Sequence, residues 1–194
     1  MKNAVTICII SLVSMISNAQ DKIGVFAGVS AVSLSDGLLE RVGITSSNSF
    51  VFHAGVNYET VVTDKISFAP KLVYSQQGDR EDDIRGIQYS TSYINAPLNF
   101  KFFNQPYILA GPQIGFLIDT DKRDRDYGDL KTLDYGLNLG VGCDIKDFFI
   151  ELNLYQGFNE LIDVQFEQRN PFRDIDLQAT NTLIQLSLGY HFDL

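Results

Sequence analysis

The 194-residue chain has no tryptophan and only two cysteines, two methionines and two histidines. Cys8 lies within the apolar stretch that opens the sequence. A chain trimmed of that stretch keeps Cys143 alone and forms no internal disulfide. With His53 and His191 the only imidazoles, no Ser-His-Asp arrangement can be read from the sequence. Basic residues are also scarce: 15 Lys and Arg face 24 Asp and Glu, a formal net charge of −9. That balance argues against nucleic acid as a partner and against polybasic attachment to a membrane surface. Past the first twenty residues no apolar run approaches the length of a spanning helix. The composition is otherwise ordinary, which excludes disorder and a bundle of membrane helices.

The front of the chain reads as a signal peptide over residues 1–19. Lys2 supplies the positive start, Ala4 to Ile16 the apolar core, and Ser17-Asn18-Ala19 the small residues that a signal peptidase reads. A membrane anchor is the alternative, and the apolar run is short for it. A lipoprotein would need its cysteine at the end of that run, whereas Cys8 is in the middle. The remainder, 20–194, is expected to form one domain.

What fills that domain is alternation. Leu133, Tyr135, Leu137, Leu139, Val141, Cys143 and Ile145 are apolar, and Asp134, Gly136, Asn138, Gly140, Gly142 and Asp144 between them are small or polar. After Lys146-Asp147 the pattern restarts with Ile150, Leu152, Leu154 and Phe158 against Glu151, Asn153 and Gly157. A side-chain period of two means strands with one greasy and one wet face. These strands are roughly twice the usual soluble length and match the 9–11 residues of a tilted membrane strand. The same rhythm recurs from Ile23 to Ala31, Phe50 to Glu59, Ile66 to Ser75, Tyr93 to Phe102, Ile108 to Ile118 and Asn181 to Phe192. Cys143 shares the apolar face and acts there as a small hydrophobe.

Eight strands result, with connections that alternate long and short. The short ones lie at Thr63-Asp64, Asn104-Gln105 and Lys146-Asp147; the long ones at Ser35–Asn48, Gly78–Ile87, Asp119–Lys131 and Glu160–Gln178. In an up-and-down barrel all short turns share one rim with both termini, the asymmetry of outer-membrane barrels. The fold class predicted is therefore all-β, an eight-stranded antiparallel up-and-down transmembrane β-barrel in the outer membrane. Three features favour lipid outside over core inside. The polar face is largely Gly, Ser and Asn, which a narrow bore can hold. Aromatics collect near strand ends, among them Phe50, Tyr58, Phe68, Tyr74, Phe102, Phe116, Tyr135, Phe148, Phe158, Tyr190 and Phe192, as in interfacial girdles. Closure also removes every strand edge, which lipid requires. Pro70, Pro97 and Pro112 cannot donate to a ladder, so bulges or kinks are expected at each.

Three stretches resemble the PorT-like outer-membrane β-barrel proteins of Bacteroidota-type Gram-negative bacteria. Tyr93-Ile94-Asn95-Ala96-Pro97-Leu98-Asn99-Phe100-Lys101 is similar to that family's aromatic–apolar–Pro–Leu strand. Pro106 to Gly115 is similar to its Tyr…Gly-Pro…Gly strand. Leu188-Gly189-Tyr190-His191-Phe192 is similar to its ending. The resemblance implies an eight-stranded outer-membrane barrel, with outer-membrane lipid around it. It also implies the barrel-assembly machinery as a partner reading the terminal aromatic, although Asp193 and Leu194 follow Phe192 here. The family has no agreed chemistry, and one branch serves protein secretion and gliding.

Four charges fall on the inward face near the short-turn rim: Glu59, Lys71, Lys101 and Glu151. On one narrow wall they should pair, because an unpaired buried charge is expensive. The bland consequence is a structural plug that seals the bore; the sharper one is a selective ion path. Asp119, Asp121, Asp124, Asp126 and Asp129 suggest calcium, but interleaved Lys122, Arg123, Arg125 and Lys131 favour a solvated, self-screened loop. Phe166, Phe172 and Ile175 in the longest loop mark either an envelope partner's site or a flap over the barrel mouth. The glycines at 111, 115, 136, 140 and 142 precede no helix and are not phosphate loops. No catalytic, cofactor or metal residues are assigned. The reading is a non-enzymatic scaffold, structural, adhesive or partner-binding. The alternative is a secreted lipocalin-like carrier, whose Leu/Ile/Phe set would point inward. The two separate on fractionation: the barrel should sediment with outer membranes and migrate differently on gels before and after heating, whereas a carrier would be soluble without detergent.

Overall fold

Where the alternation is strictest, the backbone follows it. In the computed structural model, which describes residues 21–35, 49–80, 88–123, 131–159 and 180–193, the Leu133–Gly157 hairpin pairs antiparallel around Lys146-Asp147. Lys146 takes the left-handed φ of 57° that a two-residue hairpin turn calls for. The strands are β1 (Lys22–Ser35), β2 (Ser49–Thr63), β3 (Ile66–Arg80), β4 (Gln88–Phe102), β5 (Tyr107–Arg123), β6 (Leu133–Ile145), β7 (Phe148–Gly157) and β8 (Thr180–Asp193). Each pairs with its sequence neighbour, and β1 pairs with β8 from Lys22↔Asp193 to Ser35↔Thr180, closing the ring. Among the described residues no strand edge is left over, so the wall's backbone groups can find their partners within it.

The faces are sorted as a membrane barrel requires. Leu137, Leu152 and Leu186 are 47, 48 and 46% exposed, while Asn138, Asn153 and Gln185 are 3, 6 and 8% exposed. A soluble carrier would show the reverse. Aromatic rings pack together at the short-turn end of the outer wall: Phe68 with Phe100 at 5.2 Å between centroids, and Phe148 with Tyr190 at 5.1 Å. Phe52 and Tyr74 do so towards the other end, at 6.1 Å. Rings placed this way suit the two bilayer interfaces.

Three expectations need correction. First, the strands outrun the alternation. Gly78–Arg80 and Asp119–Arg123, expected in loops, are strand, with Arg80↔Gln88 and Gln88↔Arg123 in register. Beyond the hydrocarbon a hairpin needs no apolar face, so pairing continues where the pattern stops. Second, the prolines cause no register shift. Pairing lapses beside each one and resumes unchanged: Asn57↔Lys71 to Thr60↔Phe68 around Pro70, Pro70↔Leu98 to Val73↔Asn95 around Pro97, and Pro97↔Gln113 to Phe100↔Ala110 around Pro112. A strand residue directs its N–H and C=O to the same neighbour, so proline weakens one ladder. Pro112 keeps its place opposite Leu137 on the other side. The shifts occur at Val61/Thr63 and Ser92/Tyr93.

Third, the bore holds more large rings than a lining made largely of Gly, Ser and Asn implies. Phe26, Tyr93, Tyr107, Phe149 and Tyr155 are all buried within it. Glycines opposite make the room. Tyr107 faces Gly142 and Phe149 faces Gly189, and a Cβ on either glycine would run into the facing ring. Large and small side chains thus alternate across the ladders, as small barrels need. Gly189→Val should destabilise the barrel by about 1–3 kcal/mol through overpacking. The volume-conserving Leu188→Ile on the lipid face should not. The temperature at which the gel-mobility shift occurs measures both.

The filled bore as candidate functional site

The inward residues of eight strands converge on one axis, and long side chains therefore meet partners from non-neighbouring strands. Lys71 on β3 forms an ion pair with Glu151 on β7, directly across the ring. Lys101 on β4 donates to Glu59 on β2 at 3.0 Å and to Asp144 on β6 at 2.9 Å. The Tyr107 hydroxyl donates to Glu151 at 3.2 Å, and Asn153 Nδ2 donates to the same carboxylate at 3.3 Å. Lys101 Nζ lies 4.0 Å from the centre of the Tyr107 ring, a distance at which cation–π attraction operates. The four sequence-predicted charges are thus brought together as two pairs.

Asp144 was missed. It shares parity with Gly140 and Gly142, so its inward direction was readable, but its reach to Lys101 depends on how β4 and β6 face each other. A turn residue holds it in place: Gln105 Oε1 accepts the Asp144 backbone N–H at 3.2 Å and the Cys143 thiol at 3.4 Å. Cys143 is half-buried and in no disulfide among the described residues.

Beside the ion pairs and at mid-height the network is neutral. His53 is bracketed by Ser30 and Ser187, each 2.8 Å from one ring nitrogen. A neutral ring donates to one serine and accepts from the other. Gln185 Nε2 donates to Ser30 at 3.1 Å. Asn138 Nδ2 donates to Asn99 at 3.2 Å. His191 accepts from Asn57 Nδ2 at 3.1 Å and stacks on Phe149 at 4.4 Å. The serine–histidine contact has no carboxylate on the second ring nitrogen, so it lacks the third member of a hydrolytic triad. Among the described residues no three His, Cys, Asp or Glu side chains converge as a metal site would need. Asp119 is exposed. The other aspartates of its loop, like Phe166, Phe172 and Ile175, are outside what can be described of side chains, and the stretch 1–19 expected to be a signal peptide lies outside the described residues.

A closed eight-stranded ring with its apolar side chains outward and a polar, aromatic bore defines an outer-membrane β-barrel protein. The chain belongs to the outer membrane protein beta-barrel domain family, whose model matches residues 18–163. It is accordingly a protein of the outer membrane. No significant match was found among curated proteins. Solved structures similar to it include Ail of Yersinia pestis, crystallised with the heparin analogue sucrose octasulfate, at 14% identity, 90% of this chain, 99% of that one and TM-score 0.46. OprG from Pseudomonas aeruginosa is similar at 16% identity, with 91% and 97% covered and TM-score 0.48. Neisserial surface protein A is similar at 12% identity, with 91% and 100% covered and TM-score 0.48. At these identities no role transfers.

The cross-bore pair makes its own prediction. Lys71→Met or Glu151→Gln alone leaves a buried charge uncompensated and should cost about 3–5 kcal/mol, whereas the double variant should recover most of the loss. Urea unfolding in detergent micelles, run as a double-mutant cycle, reads the difference.

Proposed function

We propose that this barrel is a sealed, non-catalytic scaffold of the PorT-like branch, which carries its long loops outside the cell as a platform for an envelope partner. The observation that carries this reading is the occupancy of the bore. At mid-height the cavity bordered by Phe26, Lys71, Asn138 and Asn153 leaves about 10 Å³ for the centre of a water molecule, room for about one. Ion pairs and amide networks cross the axis at successive levels. A bore so filled among the described residues leaves little room for a solute stream or an apolar ligand, and it stiffens the wall from which the loops spring. Glu59, Lys71, Lys101 and Glu151 serve in this reading as the seal. The loop bearing Phe166, Phe172 and Ile175 serves as the contact surface. Phe192, exposed near the end of β8, is the aromatic offered to the assembly machinery.

Two measurements test the proposal. Reconstituted in planar bilayers, the protein should give no unitary conductance; steady cation-selective steps would replace the seal with an ion path. Crosslinking in intact envelopes should recover a defined partner that disappears when residues 160–178 are deleted, while heat-modifiable migration persists. Recovery that is unchanged by the deletion would remove the loop's assigned role.

A further inference from the structure

The neutral network and the ion pairs meet at one carboxylate. Glu151 and Asn153 are two residues apart on β7, so both point into the bore. Glu151 Oε2 accepts from Lys71 Nζ, which comes across the ring from β3, and from Asn153 Nδ2 at 3.3 Å. An amine and a primary amide therefore share one carboxylate oxygen. On the far side of the amide, Asn138 Nδ2 on β6 lies 3.5 Å from Asn153 Oδ1. Gly140, opposite Asn153 in the β6–β7 ladder, leaves the space this carbonyl fills: a Cβ there would run into Oδ1. Lys71, Asn138, Glu151 and Asn153 are each more than nine-tenths buried. Phe26 and Val73 stand beside them, and the adjoining cavity takes about one water-sized molecule. Lys101 is placed differently, because it divides its bonds between two carboxylates, Glu59 and Asp144.

These are the parts of an amide exchange. The lysine amine is a nucleophile once it has given up a proton. The Asn153 side-chain carbonyl is the electrophile, and the oxygen that gains charge on attack already faces the Asn138 N–H. The carboxylate touches both the atom that must lose a proton and the nitrogen that must leave, which is the position of a general acid and base. A folded wall holds the three groups at an effective concentration that free groups do not reach. The balance of charge points the same way. With water kept out, the exchange replaces two buried charges by neutral groups.

We propose that Lys71 and Asn153 become joined by a side-chain amide bond inside the folded barrel, with Glu151 as the proton carrier. Glu151 takes one proton from the Lys71 ammonium. The freed lone pair forms a bond from Nζ to Asn153 Cγ, and the carbonyl π pair moves onto Oδ1. Glu151 then hands its proton to Nδ2 and takes a second one from Nζ. The pair returns from Oδ1, the Cγ–Nδ2 bond breaks with its electrons on nitrogen, and ammonia leaves. Nothing is oxidised or reduced, and no co-reactant enters. The product is an amide between β3 and β7 with a protonated, neutral Glu151 beside it. The ion pair is the state that precedes the bond and brings the reacting groups together. The reaction makes one polar bridge across the bore covalent.

Mass spectrometry of the whole protein tests this. Purified in detergent from outer membranes, it should be lighter by one ammonia, and its digest should contain a branched peptide joining Lys71 to Asn153. The chain taken from inclusion bodies and held in urea should have its full mass, and should lose one ammonia on refolding into micelles. Lys71→Arg, which keeps the charge, and Glu151→Gln should both refold with heat-modifiable migration and form no branched peptide. Cyclisation of Gln20 at a trimmed N-terminus would also release ammonia, so the branched peptide is the deciding readout. Refolded, unsubstituted protein without that peptide overturns the inference, whether or not any variant folds. Loss of water instead of ammonia overturns it too, because Glu151 would then be the acylated group. The same peptide formed as fast in Glu151→Gln also overturns it, because the proton then travels without the carboxylate. The unfolding cycle on Lys71 and Glu151 applies to the chain before the bond forms, a state the same spectra identify.

Discussion

Hydrocarbon offers the peptide group no hydrogen bond, and this single constraint shapes the molecule. Every strand must find two neighbours, so the sheet has to close, and β1 must meet β8. Closure then divides the side chains into two populations with opposite solvents. The outer set needs only to be greasy along the band that meets lipid. The inner set must satisfy itself in a space too narrow for bulk water.

The inner set solves that problem by combining shapes and charges. Aromatic rings at Phe26, Tyr107 and Phe149 lie against glycines on the facing strand, which keeps the bore densely packed without straining the wall. The lysines reach carboxylates on strands they do not touch through the backbone, so the charges brace the cylinder across its width. Because Lys101 is shared between Glu59 and Asp144, three strands are joined at one ammonium. A wall held by ladders along its surface and by polar bridges through its centre is stiff in both directions.

The strand count, the inward and outward parity and the three tight turns were legible along the chain, because each is written in a local period. Leu137 out and Asn138 in needs nothing but alternation. Contacts across the bore were only partly legible. That Glu59, Lys71, Lys101 and Glu151 would be neighbours followed from their common height and direction. Asp144 as a second partner of Lys101 did not, because that meeting depends on the stagger between β4 and β6, which no local pattern encodes. The strand extensions past Gly78 and Asp119 were hidden for another reason. They lie beyond the hydrocarbon, where a hairpin carries no greasy face to betray it. The prolines misled because each was expected to mark a bulge or kink, whereas in a closed sheet each one costs a single ladder a short lapse.

The ion pair between Lys71 and Glu151 has a consequence for how the cylinder chooses its stagger. Were one ladder to slide by two residues, every oily side chain would still point outward, and the bilayer could not tell the difference. Inside, the same slip would carry the ammonium past its carboxylate and drive a ring against backbone that no longer holds a glycine. The lipid decides which side of each strand faces it, and the interior alone decides the alignment.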